Sequence, residues 1–539
     1  MKRKLLVCFI VLLLAATMFS LGGCAKEQTA DSNKLAKDDL ILAVSMEPDT
    51  LLDPTVGWGR YGSPLFQSTL LTRDSDLNIV NDLATGYEVS KDGLVWTVKL
   101  RDGVKFSDGQ PLTAEDVAYT FATAAKSGSV VDLNGMQSVE ALDPLTVKFT
   151  LKQPQSTFVV QLISMGIVPT HAHNQSYGEH PIGSGPFKFV QWDRGQQLIV
   201  EANPYYYGAK PTFKKITFLF LSDDAAFAAA RAGKVDMAYI PATFARQKVA
   251  GMRLVALKSV DNRGIYFPTE KPGKKTKDGD PVGNAVTSDI AIRKAINIAI
   301  DRQALVDGVL EGQGTVAYSV CDGLPWYSPD NVIEDNDIEG AKEILIAAGW
   351  KDNDGDGVLE KGTLKAEFNL YYPADDAVRQ SLSIASTDRL KKIGIRINVK
   401  SGSWDEIQPL MYSNPVLMGW GSHDPLEMYN LYYSKSGGVE WYNPGFYNNP
   451  TVDQYLDQAL AAPSEQEALA YWKKAQWDGK TGFSARGDAP WAWMVNINHL
   501  YLVREGLDIG KQKIQVHGHG WPVTDNIAQW KWTAPAVKE

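Results

Sequence analysis

Cysteine is nearly absent from this chain, with three in 539 residues: Cys8, Cys24 and Cys321. The first two fall in an N-terminal apolar segment. Beyond that segment Cys321 stands alone, no intrachain disulfide is available, and the fold must be held by core burial. Histidine is scarce too, at seven, and the formal charge of −9 comes with no basic block. That balance excludes a nucleic-acid-binding surface. After residue 24 no apolar run reaches the about 20 residues that a membrane helix needs. Catalytic patterns are also missing. There is no His-Glu-x-x-His zinc motif. Gly183-Ser184-Gly185 follows Pro181 and Ile182, so it is not a Gly-x-Ser-x-Gly nucleophile elbow. Cys321 has no histidine near it in sequence. An enzyme is therefore not expected.

What is present begins at the N-terminus. Lys2, Arg3 and Lys4 precede an apolar stretch over 5–19, and Leu21-Gly22-Gly23-Cys24 closes it. This reads as a secretory signal, and its ending resembles the lipobox of bacterial lipoproteins. The resemblance implies that residues 1–23 are removed and that Cys24 carries a lipid. Residues 24–38 then form a flexible tether, and the body works outside the cytoplasm, anchored to the membrane. The composition is globular, 44% hydrophobic with 15 Trp and 22 Tyr, and the length calls for two or three domains.

Local patterns predict α/β structure. Residues 40–44 form a short apolar run, a buried strand. Trp96, Val98 and Leu100 alternate with Thr97 and Lys99, the period of a half-buried strand, and 145–151 alternates again. Thr113-Ala114-Glu115-Asp116 starts a helix, with Thr113 as N-cap and Asp116 at the capping-box position. Residues 290–300 and 338–348 carry helical spacing, the second ended by Gly349. Residues 368–372, 376–392 and 395–399 read as strand, helix, strand, which implies parallel pairing in a second α/β domain. Residues 270–288 read as a surface loop.

Five stretches, in one order along the chain, resemble the family 5 extracellular solute-binding proteins, the peptide/nickel/opine receptors of ABC importers. They are 86–109 (Gly86-Tyr87-Glu88 … Phe106-Ser107-Asp108-Gly109), 181–187 with Asn203-Pro204-Tyr205-Tyr206, 228–236, 292–302, and 341–350. The resemblance implies a type II periplasmic-binding-protein clamshell of two α/β lobes, with an extra subdomain on the first. The first lobe would span 39–268, its subdomain about 75–180, and the second lobe 269–490, with 491–539 returning to the first. The ligand would sit between the lobes and be handed to permease subunits by a monomeric receptor that needs no cofactor. The glycines of these stretches supply turn geometry, and Gly183 and Gly185 allow a tight backbone path.

Fewer residues speak to the ligand. His517 and His519 flank Gly518, and in an extended segment i and i+2 share a face, so both could reach one metal. The segment resembles the C-terminal stretch of nickel-type members. In Trp420-Gly421-Ser422-His423-Asp424-Pro425, the Asp that peptide-type members carry after the Trp is displaced. His423 takes its place, and Asp424 could shift into the role. Arg60 and Tyr61 are candidates for a carboxylate, with Trp404 and Trp420 as walls. A nickel-chelator complex, Ni(II) with a small organic chelator, is the favoured cargo, and a short peptide is the alternative. His171-x-His173 has metal-like spacing but reads as structural. Asp352-Asn353-Asp354-Gly355-Asp356-Gly357 has the acid spacing of an EF-hand loop, but Thr363 stands at position 12 where the bidentate Glu belongs. A solvated turn is expected there, with weak calcium binding as the alternative.

Overall fold

The computed structural model describes residues 38–533 except 45, 46, 49, 50, 63, 64, 129, 130, 518 and 519. The expected signal, tether and lipid-bearing Cys24 lie outside the described residues, as does His519.

Two large sheets organise the chain. The first has seven strands, in the order Met252–Leu257, His499–Arg504, Met237–Ile240, Asp39–Ala43, Lys215–Leu219, Gln197–Ala202, Phe187–Asp193. The apolar run near residue 40 is its parallel centre, paired with Lys215–Leu219 and Met237–Ile240. Leu40 and Leu42 are fully buried on one face, and Ala43 is buried on the other. The second sheet has six strands: Gly314–Val316, Trp491–Ile497, Asn262–Tyr266, Val416–Met418, Glu367–Pro373, Arg396–Gly402. Along Trp491–Ile497, Trp491 and Trp493 enter one core while Ala492 and Met494 enter the other. Burial on both faces explains why such strands read as continuous apolar runs.

The strand-helix-strand reading holds. Glu367–Pro373 and Arg396–Gly402 pair in parallel across the helix Ala377–Lys391. The helix Ala114–Ala124 begins as read, with Asp116 Oδ2 accepting the Thr113 amide at 2.9 Å. It packs on a four-stranded antiparallel sheet, Ala84–Val89, Val95–Leu100, Thr146–Leu151, Met136–Asp143, with its own core of Trp96, Val98, Phe121 and Phe149. The helix Ile338–Ala347 is followed by Gly349 at φ +89°. Residues 270–288 are mostly loop, with a small hairpin of Lys274–Lys275 and Pro281–Val282. At Gly183 a Cβ would stand 2.1 Å from the Phe66 carbonyl oxygen, so the tight path is real.

The chain passes between the two large sheets twice, between Leu257 and Asn262 and again at Asn498. Two boundaries read from sequence therefore move. Asn262–Tyr266 pairs in the second sheet, although 39–268 was assigned to the first lobe. The return to the first sheet begins at His499 rather than at 491. No Gly or Pro marks either crossing, because each crossing strand continues the run that precedes it.

Candidate functional site

Asp53 builds the first wall. It caps the short helix Pro54–Val56 by accepting the Thr55 amide at 2.9 Å, and Gly57 and Gly59, at φ +116° and +89°, then fold the chain back. The other Asp53 oxygen lies 3.1 Å from His173 Nε2, and His173 Nδ1 lies 3.0 Å from the Tyr119 hydroxyl. Burial alone would raise the Asp53 carboxyl, but His173 and Thr55 outweigh it and hold it below the usual range. His173 is thus structural, as its sequence context suggested, and it braces the loop that carries Trp58, Arg60 and Tyr61. Arg60 is exposed and lies over the Tyr61 ring at 4.4 Å. Trp58 meets Trp521 edge-on at 5.9 Å.

The opposite wall follows the strand Val416–Met418. Trp420 and Asn262 exchange hydrogen bonds, both at 3.0 Å. Gly421 follows at φ +146°, with a Cβ position only 2.2 Å from the Val260 carbonyl oxygen, so the loop is pressed against the crossing segment. Glu427 folds back to accept the Gly421 and Ser422 amides at 3.0 and 3.2 Å. Asp424 accepts the Leu426 amide at 2.9 Å, just ahead of the helix Leu426–Tyr432, whose cap is Pro425.

Between these walls lie two adjoining cavities of about 270 and 240 Å³. Arg60, Tyr61, Ser422 and Asp424 line both. His423 lines the first, and Trp420, Glu427 and Trp58 line the second. Five of the residues singled out by sequence, Arg60, Tyr61, Trp420, His423 and Asp424, therefore meet at one place. Trp404 lines neither cavity. It opens the short helix Trp404–Ile407 and packs against Trp441 at 5.4 Å and Arg379 at 5.6 Å. His517 lines neither as well. Its Nδ1 lies 2.5 Å from Asp261 Oδ1, and Asp261 also meets Arg263 and, at 3.3 Å, His499. Burial would raise Asp261, but Arg263 and the two imidazoles hold it well below the carboxylate range. This ion cluster lies at the crossing between the sheets and engages His517, one of the two histidines read as a metal pair.

Arg60, Arg73 and Lys513 line the cavities, but Arg73 pairs with Glu465 and Lys513 with Asp525. Asp424 and Glu427 have no ion pair among the described residues, and burial pushes their carboxyls up to about 7 and about 8. Burial, with Lys513 and Arg73 alongside, pushes His423 down to about 3, so its ring is neutral. His423 Nε2 and Trp420 Nε1 are covered from solvent without a hydrogen-bond partner. Buried polar atoms of this kind are rare unless something fills the site. The walls therefore offer two acids and one acceptor, a donor from Trp420, and the Arg60 guanidinium. Glu427 was missed by sequence reading. An acid seven residues after Trp420, on the first turn of a helix, was the available signal.

Contacts also reach across from the subdomain side. Arg73 meets Glu465 at 2.7 Å, and Ser156 bonds to the Leu460 and Ala459 carbonyls through its amide and hydroxyl at 2.7 and 2.8 Å. These contacts join the segment after the first wall to the helices that follow the second. Glu465→Gln is expected to weaken ligand binding about tenfold by calorimetry, since it removes the charge partner that holds Arg73 at the first cavity. Unchanged affinity would show that the pair takes no part in binding.

Comparison with known proteins gives a consistent picture. The model described as bacterial extracellular solute-binding proteins, family 5 Middle, matches residues 78–443. Protein XP55 of Streptomyces lividans is 34% identical over 517 residues, covering 92% of this chain and 91% of that protein. The oligopeptide-binding protein AppA of Bacillus subtilis (strain 168) is 28% identical over 502 residues, covering 86% and 89%. Its structure with a nonapeptide aligns at a TM-score of 0.68 with 25% identity, covering 93% and 99%. The structure of NikZ from Campylobacter jejuni in complex with Ni(L-His) aligns at 0.76 with 26% identity, covering 92% and 100%.

Proposed function

The chain belongs to the family 5 bacterial extracellular solute-binding proteins, the receptors of ABC importers, and on that premise we propose that its cargo is a short peptide with a free amino terminus. The observation that carries this reading is the pair Asp424 and Glu427: two half-buried carboxyls beside Trp420, each lacking the positive charge of an ion-pair partner among the described residues. An α-ammonium supplies that charge, with His423 Nε2 as a further acceptor. Trp420 Nε1 and Arg60 suit a peptide carbonyl or carboxylate. The binding likeness to AppA, whose name and structure both concern peptides, points the same way. Lobe closure follows because a ligand touching both walls favours the shut form. The receptor acts as a monomer, tethered by lipid on Cys24, and passes its cargo to permease subunits.

The nickel chelate first favoured from sequence becomes the second reading. Its two histidines no longer support it: His517 is engaged by Asp261, and His519 lies outside the described residues. What keeps it open is His423, a neutral imidazole with an unpartnered Nε2 facing a cavity, which is also how a metal ligand is presented. The likeness to NikZ with Ni(L-His) is consistent with it.

A thermal-shift panel separates the two. Di- to pentapeptides are expected to raise the melting temperature, by about 2.7 kcal/mol of stabilisation at a hundredfold excess over Kd. Their N-acetylated forms are expected to have no effect. A shift with nickel-histidine alone, lost in His423→Ala, would reverse the order of the readings.

A further inference from the structure

Far along the chain from these cavities, the acidic loop at 352–360 has a feature that a solvated turn does not need. The loop follows the helix Ile338–Ala347 and leads into a hairpin of Glu360–Lys361 and Leu364–Lys365. Backbone bonds between Lys351 and Glu360, at 2.7 and 2.9 Å, bring position 9 of the loop back beside position 1. Carboxylate oxygens of Asp352, Asp354, Asp356 and Glu360 then lie within 4.8 Å of one another. Calcium–oxygen bonds run about 2.4 Å, so opposed ligands stand about 4.8 Å apart. All four groups fit inside one such coordination sphere.

Three of these acids are exposed, and exposed acids alone would indicate nothing. Glu360 is different, because it is 8% exposed. Its Oε2 is used, accepting the Asn353 amide at 2.8 Å and the Asn353 side chain at 3.2 Å. Its Oε1 is shielded from solvent and accepts no hydrogen bond. The nearest cation, Lys365 Nζ, is 3.5 Å away and spends its contacts on Asp354 and Asp356, at 2.9 and 2.8 Å. Arg396 reaches only Asp356, at 3.6 Å. Four carboxylates thus share two cations, and Glu360 Oε1, shielded from solvent, accepts no hydrogen bond and has only the shared Lys365 ammonium at 3.5 Å. Burying an unsatisfied carboxylate oxygen is costly unless another group completes it.

We propose that Asp352, Asp354, Asp356 and Glu360 bind a calcium ion, which replaces the Lys365 ammonium. The donors are all oxygens, which selects a hard cation over zinc or copper. The chain offers no octahedral cage of fixed size, which favours calcium over magnesium. Lys365 sits 40% exposed on a flexible stem, so it can withdraw into water. Glu360, at position 9, makes good the glutamate missing at position 12. The ion ties the end of one helix to the hairpin at the edge of the second sheet. With one competing lysine and a partly exposed site, affinity belongs in the range of extracellular modules, Kd about 10⁻⁴ to 10⁻³ M.

The test uses the full chain, with calcium and terbium as probes. Wild type is expected to show saturable terbium luminescence sensitised by Trp350, two residues from the loop, and a rise in melting temperature with calcium. Glu360→Gln and Asp354→Asn are expected to lose at least tenfold in affinity. Asp354 is largely exposed, so its variant guards against a folding defect. Lys365→Met is expected to bind calcium more tightly than wild type, since the competing ammonium is gone. If neither wild type nor Lys365→Met responds to about 10 mM calcium, well above the weak end of such sites, the loop is an ion-paired turn. Binding that Glu360→Gln leaves unchanged would also overturn the assignment.

Discussion

Asp424→Asn is expected to reduce affinity for a short peptide about 100-fold while leaving the fold intact. The asparagine keeps a side-chain oxygen that can accept the Leu426 amide. What disappears is the charge. Losing one partner of a covered, hydrogen-bonded ion pair costs about 2–5 kcal/mol, and about 1.4 kcal/mol is tenfold. Calorimetry on wild type and variant measures the difference, and equal affinities would remove the ammonium from this wall. The pH dependence supplies a second readout. Burial raises Asp424 to about 7 and Glu427 to about 8, well above their unfolded values. Raised folded values mean that the empty protein holds these protons more tightly than the unfolded chain does. Their contribution to stability is complete below pH 4 and is lost as pH rises through 7 to 8. A bound ammonium favours the ionised carboxyls, so binding releases protons and affinity rises from pH 5.5 towards neutrality. It turns over where the peptide's own amino group deprotonates, near about 8. In Asp424→Asn the rise flattens.

Gly421→Ala is expected to destabilise the protein by about 3 kcal/mol and to abolish binding. At φ +146° the backbone is in a region that side chains rarely adopt, and the added Cβ would meet the Val260 carbonyl oxygen at 2.2 Å. Strain of that kind costs about 1–3 kcal/mol, and the clash adds a displacement of similar cost. The displaced loop carries Trp420, His423 and Asp424, so the cavity wall moves with it. Gly103→Ala is the control: φ is +72°, but nothing lies within 4 Å of its Cβ. Only the strain remains there, about 1 kcal/mol. If the two variants melt alike, contact with the crossing segment is irrelevant.

How well the site could be read from sequence varies by residue. The Trp420 to Asp424 loop was legible because its residue types are unusual and adjacent. Arg60 and Tyr61 were legible because glycines surround them in a turn after the first strand. Glu427 was not, since an acid on the first turn of a helix looks like ordinary dipole compensation. For His517, spacing shows which residues share a face and says nothing of what that face meets. In the fold it meets Asp261, 256 positions away in sequence. Trp404 likewise has Trp441 and Arg379 as neighbours, which its place in the sequence does not reveal.

The chain's own residues determined the α/β class, the helix starts, the parallel strand pair and the identity of the family. All of these follow from periodicity, caps and motifs that lie within a few tens of residues. Tertiary structure alone decided where the chain crosses between sheets and which histidine faces a cavity. It also decided which carboxyls go without an ion pair among the described residues, and that Glu360 keeps a covered oxygen beside three exposed aspartates. Burial and charge pairing depend on partners remote in sequence, and no local pattern encodes them.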